Sequence, residues 1–536
     1  MKRWIFIACL VQLLHSATAF PAEYQWSVPM PKSPTGERRA YLWIPPACQH
    51  VRGLIIGLQN MLEKPMFEDA TIRQAATDSS LGIVWIAPGA EGKGTPLGLD
   101  FSPREEAVTV LQQTLAALAQ ESGYGEVEFA PLLAVGHSAA TPFVWGMGEW
   151  DPARVFAIIP NKGWYPAHAP RGVPVFRMAQ EWTEWGDKWG EDWLRRECPA
   201  ALSLRADGDA ALVGEFLDAG AGHFDWTPEA AKVVALFIRK AAQYRLPETG
   251  PATGPVKLKP IDFRSGCLID ALKLGTPQGK AIAVRDWAGD TKAGLWYFDR
   301  ELADAVNDYA RERLAKKPQM IDFMVNGQPA PLVKNGFADF TPKLLSDGVT
   351  FKVAAAFLDE SPTTNLFSGQ KLGHAAGPIR FRVGSGGLRQ ISADTFQVAV
   401  DRGSVARQGP PWEPWVIAYS PGDADYRPAD RPAHAFVATR LTEGKPQTIT
   451  FPEIPDQKLD GQHVQLGATS DSGLPVQYLV ISGPVELQGD ELRFTTIPRR
   501  AKLPIRVCVA AYQWGRGIDP KIQSTGPVVR RFLIGR

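Results

Sequence analysis

Apolar and polar positions follow two different rhythms along this chain, and the change falls near residue 247. From Tyr24 to about Pro247, short unbroken apolar runs take turns with helical stripes. The runs are Ala40 to Ile44, Gly53 to Leu58, Ile83 to Ala87, Leu132 to Val135, Val155 to Ile159, Pro174 to Met178 and Leu212 to Leu217. Runs that are continuous rather than alternating suit parallel strands buried on both faces. Between them, Val108, Leu111, Leu115 and Leu118 line one face of a helix. A last helix opens on Thr227 as cap, with Pro228 at the first helical position, and runs through Val233, Val234, Phe237 and Ile238. Strands alternating with amphipathic helices predict an α/β fold, doubly wound about a mostly parallel sheet.

Pro247, Pro251, Pro255 and Pro260, with Gly250 and Gly254 between them, predict a linker over residues 248–260. Residues 261–446 then read as a β-rich accessory domain, with short runs such as Ile379 to Val383 and Phe396 to Val400. It holds one helix, from Arg300 to Lys317, capped by Asp299. From Gln447 onward strands recur at short spacing with turn residues between them, which predicts a small sandwich. The stretch Ala468-Thr469-Ser470-Asp471-Ser472-Gly473-Leu474-Pro475-Val476, with Tyr478 and Ser482-Gly483-Pro484, resembles the immunoglobulin-like repeats of bacterial secreted and surface proteins. The resemblance covers residues 447–536 and implies an Ig-like β-sandwich there.

Composition narrows the picture. The 536 residues exceed what one core can organise, since cores stop growing near ~250–300 residues. Hydrophobic residues at 45% and charged residues at 21% suit packed domains rather than long disordered tracts. A net charge of +1, with no run of Lys and Arg, argues against nucleic acid as a partner. Lys2 and Arg3, the apolar run Trp4 to Leu14, and Ala17-Thr18-Ala19 predict a signal peptide over residues 1–19, with the mature chain starting at Phe20 in the periplasm or outside the cell. Cys9 lies too early in that run for a lipoprotein site. No segment offers the ~20 apolar residues of a spanning helix, so no integral membrane segment is expected after cleavage. Cys48, Cys198, Cys267 and Cys508 then remain, and their wide spacing leaves bridges and free thiols equally open. The eight scattered histidines give no metal signature, Asp423-x-Asp425 reads as a turn, and no cofactor is implied.

The candidate chemistry lies in the first half. Gly136-His137-Ser138-Ala139-Ala140 follows the run Leu132 to Val135 and precedes a helix-compatible stretch from Thr141. A serine on such a strand-to-helix turn is lifted above the sheet, and small neighbours are needed to avoid clashes. Ala140 stands where a second glycine is usual. Gly222-His223-Phe224 follows the last apolar run and precedes the last helix, placing an imidazole where it can take the serine proton. A carboxylate should follow the run Pro174 to Met178 and hold the histidine tautomer. Glu184 lies nearest the expected position, with Glu181 and Asp187 as alternatives.

These pieces make residues 20–247 resemble the α/β-hydrolase superfamily, in particular compact secreted esterases. The resemblance implies a Ser138, Glu184, His223 triad. It also implies an oxyanion hole built from the backbone N–H of Ala139 and of Gln59 or Asn60. Trp182, Trp185, Trp189 and Trp193, with Trp164 upstream, read either as a buried helix stripe or as a platform for sugar rings or phenolic acids. Lys162 reads either as a solvated lysine or as a contact for a substrate carboxylate. Trp412 and Trp415 fit a sugar platform or a core.

The expected activity is carboxylic ester hydrolysis by a serine hydrolase, with acetyl or feruloyl groups on plant polysaccharide as the substrate class suggested by analogy. A secreted serine peptidase and a catalytically inactive surface binding protein are the alternatives. The β-rich half is expected to brace and space the catalytic part.

Overall fold

The computed structural model describes residues 24–31, 38–88, 105–181, 193–194, 196–249, 253–331, 338–360, 369–400, 402, 414–438 and 440–535. The expected signal peptide lies outside these residues.

Eight strands form one large sheet: β1 (Trp26–Pro29), β2 (Arg38–Trp43), β3 (Gly53–Leu58), β4 (Leu81–Pro88), β5 (Leu132–His137), β6 (Val155–Asn161), β7 (Val175–Gln180) and β8 (Val213–Asp218). Their order across the sheet is β1-β2-β4-β3-β5-β6-β7-β8. β1 and β2 join antiparallel, and the pairings from β4 to β8 are parallel. Helices α1 (Glu63–Glu68), α2 (Ala70–Asp78), α3 (Glu105–Ser122), α4 (Thr141–Trp150), α5 (Glu197–Arg205) and α6 (Pro228–Arg245) connect them. The unbroken apolar runs follow from burial on both faces. Ile55 and Leu133 feed one core while Leu54, Ile56 and Leu132 feed the other. Leu111, Leu115 and Leu118 of α3 sit in that second core. Thr227 caps α6, its side chain accepting from the Ala230 N–H at 3.1 Å.

The core does not end at residue 247. Segment 253–314 carries β9 (Cys267–Asp270), β10 (Ile282–Ala283), β11 (Gly294–Tyr297) and α7 (Arg300–Leu314), and it packs onto the open edge of the large sheet. Leu268, Trp296, Phe298 and Val306 belong to the same core as Phe216 and Phe237. Tyr297 Oη donates to the Glu215 carbonyl of β8 at 2.7 Å. Asp299 caps α7 through the Leu302 N–H at 3.0 Å. The separate accessory core begins near Ile321 and is built on a four-stranded sheet of 338–340, 429–435, 415–420 and 380–385, with smaller sheets beside it. Residues 447–535 form three further sheets, 457–458/528–535/505–512/477–482, 463–465/491–494/485–488 and the short pair 449–450/469–470, around a core that includes Val480, Leu492, Val507 and Phe532.

Both later parts touch the first. The C-terminal sheets meet β1, where Ser27 Oγ lies 2.9 Å from Ser482 Oγ, and they reach α3 and its following turn, where Arg500 pairs with Glu126 at 2.9 Å. The middle part meets the segment after β8. Cys48, Cys198, Cys267 and Cys508 are buried free thiols. Among the described residues, no helix is long and apolar enough to cross a membrane, and no group of side chains is arranged to hold a metal ion.

Candidate active site

Ser138 stands at the end of β5, where the chain turns through the 3-10 segment Ser138–Ala140 into α4. Its φ is +52°, a left-handed conformation that costs a non-glycine residue on the order of 1–3 kcal/mol and persists only where the surroundings enforce it. Two close approaches enforce it. A Cβ on Gly136 would come within 2.7 Å of Val144 and 2.9 Å of the Ala140 carbonyl, and one on Gly163 within 2.7 Å of the Ser138 carbonyl. Thr141 Oγ1 donates to that same carbonyl at 2.7 Å and accepts from the Trp164 N–H at 3.2 Å, tying the turn to the end of β6.

His223 lies in the connection from β8 to α6 and meets the turn through His137. The His137 ring is buried and 4.7 Å from the His223 ring, and its Nε2 donates to the His223 carbonyl at 2.8 Å. Burial, with His223 and Lys162 nearby, holds the His137 pKa well below the usual histidine range, so a neutral ring stands beside His223. His223 Nδ1 faces Gln180 Oε1 at 2.8 Å. Gln180 is the last residue of β7, two beyond the expected end of that strand.

Glu181 points elsewhere. It forms an ion pair with Arg427 and accepts from the Gly220 N–H at 2.6 Å, so it braces the histidine connection from beneath rather than holding the imidazole. Glu184 and Asp187 lie outside the described residues, as do Trp182, Trp185 and Trp189. Trp193 is buried, with Nε1 donating to the Ala271 carbonyl at 3.1 Å, which makes it a core residue. Trp164 is 59% exposed, beside the serine turn.

Lys162 does not face a substrate. Its buried ammonium pairs with Asp218 at 2.7 Å and donates to the carbonyls of Gly222 at 2.9 Å and Asp225 at 2.8 Å. Those three partners use all three of its N–H groups and pin the connection on both sides of His223.

The expected oxyanion donors also need revision. The Gln59 N–H donates to the Ile86 carbonyl at 2.8 Å, and the Asn60 N–H to Glu63 Oε2 at 2.7 Å. Glu63, which the sequence did not single out, is buried without exposure. It accepts from Asn60, Met61 and the His137 N–H, while Asn60 Nδ2 donates to the His137 carbonyl at 2.9 Å. The loop after β3 is thereby tied to the residue before Ser138, with its first N–H groups turned inward. Ala139 is exposed in the first turn after β5, where leading N–H groups lack an acceptor within the turn.

The middle part completes the surroundings of the histidine connection. Asp430 accepts from the Gly222 N–H at 2.6 Å, Arg382 pairs with Asp225, and Phe224 stacks on Trp415 at 4.8 Å. Gln180, Asp430, Arg382 and Arg427 carried no signal in the sequence. Their partners lie tens to hundreds of residues away, and no local pattern marks them.

The sequence matches no protein-family model and no curated protein. Among solved structures, the chain is similar to a soluble variant of monoglyceride lipase from Saccharomyces cerevisiae, at 10% identity over 43% of this chain and 97% of that one, with a TM-score of 0.30. It is also similar to Est1E from Butyrivibrio proteoclasticus, at 10% identity over 40% and 96% with a TM-score of 0.26. An alpha-beta serine hydrolase homologue from Coxiella burnetii is similar at 11% identity over 40% and 97%, also with a TM-score of 0.26. These and the other neighbours described as esterases share about two-fifths of this chain.

Proposed function

We propose that this protein is a serine hydrolase of carboxylic esters, with Ser138 as nucleophile and His223 as general base. The observation that carries this reading is the left-handed Ser138 on a strand–turn–helix, tied through His137 to the His223 backbone. Strain of that kind is retained where an exposed hydroxyl is worth its cost.

In the reaction, Ser138 Oγ attacks the ester carbonyl carbon as His223 Nε2 takes its proton. The Ala139 N–H stabilises the resulting oxyanion. The protonated His223 then gives its proton to the departing alcohol, leaving an acyl-serine. Water, deprotonated by His223, attacks that ester and releases the acid, returning the proton to Ser138.

The N-terminal pattern of residues 1–19 supports export, and the resemblance of residues 447–536 to Ig-like repeats supports a secreted or surface setting. In that setting, an acetyl or feruloyl ester on plant polysaccharide is the substrate class we favour, with the exposed Trp164 indole as a surface on which a sugar or phenolic ring can stack. A panel of acetyl, feruloyl and peptide substrates tests this. Hydrolysis of an ester by wild type and its loss in Ser138→Ala are expected. Equal hydrolysis by the variant would overturn the assignment.

A further inference from the structure

Building on the Ser138–His223 reading, we infer that the middle part of the chain is a working component of the active site. Asp430 in it is a positioning residue that sets the backbone on which the catalytic histidine stands.

The connection from β8 to α6 opens on Ala219-Gly220-Ala221-Gly222, a stretch with no side chain large enough to anchor it, and glycine leaves the backbone more freedom than any other residue. Its shape must therefore be imposed from outside. A Cβ on Gly220, whose φ is +81°, would lie 2.6 Å from the Pro428 carbonyl, and one on Gly222 would lie 3.1 Å from each carboxylate oxygen of Asp430. The connection thus runs flush against the strand Ala429–Ala435 of the middle part.

Side-chain alternation explains what that sheet presents. Asp430 stands opposite Tyr419, Ile417 opposite Arg382, and Trp415 opposite His434, which puts Asp430, Arg382 and Trp415 on one face. These three meet the connection on both sides of His223. Asp430 accepts from the Gly222 N–H at 2.6 Å, Trp415 stacks on Phe224, and Arg382 pairs with Asp225. The large sheet holds the carbonyls: Lys162 donates to those of Gly222 and Asp225, and His137 to that of His223. The two peptide groups leading into His223 are thus held by opposed hydrogen bonds, the Gly222 N–H by Asp430 and the Gly222 carbonyl by Lys162. Removing the Asp430 carboxylate releases one of them and lets the imidazole shift relative to Ser138. A misplacement of about 1 Å costs on the order of 10²-fold in rate.

The test measures kcat and KM on a simple aryl acetate for wild type, Asp430→Ala, Asp430→Asn, Gly222→Ala and the double variant Gly222→Ala/Asp430→Ala. Thermal melts and circular dichroism establish that each is folded, and Ser138→Ala is the blank. Asp430→Ala should lower kcat by about tenfold or more with KM unchanged, since the loss is one of orientation. Asp430→Asn keeps an oxygen that accepts from the Gly222 N–H and should recover most of kcat, even if it melts as low as Asp430→Ala. Gly222→Ala presses a methyl group onto the carboxylate and should lower kcat by itself, but by a smaller factor in the Asp430→Ala background, as groups in contact do. Wild-type kcat in folded Asp430→Ala, or additive losses in the double variant, would overturn the inference while leaving the serine hydrolase reading intact. Equal losses in Asp430→Ala and Asp430→Asn would also overturn it, by tying the effect to the buried charge rather than to the hydrogen bond. Should Asp430→Ala fail to fold, wild-type kcat in Gly222→Ala is equally decisive against it. Activity that survives Ser138→Ala would instead remove the reading on which the inference rests.

Discussion

Glu63 is the residue on which the neighbourhood of Ser138 turns. One carboxylate, without exposure, accepts N–H bonds from two residues of the loop after β3 and from the residue preceding the serine. Burial outweighs those bonds and pushes its carboxyl up from 4.5 to about 7. A folded pKa above the unfolded one means that the native state binds the extra proton. The stabilising contribution is therefore complete below about pH 4.5 and is lost as pH rises through about 7. Melting temperature should fall between those values in wild type, and Glu63→Gln should flatten that slope. An identical slope in the variant would place the titration elsewhere. At this scale the serine turn was legible in sequence, because a strand, small neighbours and a serine are local signals. Gln180 was not, because the reading ended β7 at Met178 and sought an acid beyond it. Arg177 and Gln180 break the apolar pattern, yet the strand continues through both.

Among the elements, the connection from β8 to α6 is held both from its own sheet and from the middle part. Lys162 comes from the end of β6, Asp430 and Arg382 come from the middle sheet, and Trp415 covers Phe224. Removing one member of a buried charged set leaves the rest uncompensated, at a cost of about 3–5 kcal/mol. Asp430→Ala should therefore destabilise the protein by an amount of that order in urea melts and depress ester hydrolysis. Trp415→Ala, which removes the stack on Phe224, should reduce kcat/KM by a smaller factor, since an aromatic pair is worth about 0.5–1.5 kcal/mol beyond its burial. Wild-type activity in both would mean that the histidine connection holds its shape unaided. The sequence located the middle of seven of the eight strands in the large sheet, missing β1, and both helix caps, at Thr227 and Asp299, because periodicity and capping are encoded within a few residues. Which distant strand would lean on His223 is encoded in contacts about 200 residues apart, such as Gly222 with Asp430.

For the whole molecule, the proline-rich stretch misled the reading of where the first core ends. The described residues at 248–249 and 253–260 are mostly exposed apart from the buried Leu258, and the chain beyond them returns to cover β8 and α6 with Leu268, Trp296 and Phe298. A chain ending at Pro247 exposes that apolar face and also loses the brace on the histidine connection. It should be insoluble or unfolded by circular dichroism, whereas a folded and fully active fragment would remove any bracing role for the β-rich half. The central claim is that Ser138 is an activated nucleophile. The most direct test is to expose the folded chain to a fluorophosphonate and map the product by mass spectrometry. One adduct on the peptide containing Gly136-His137-Ser138, absent from Ser138→Ala, is the predicted result. A folded wild-type chain that takes up no label, or takes it up at another serine, would contradict the account.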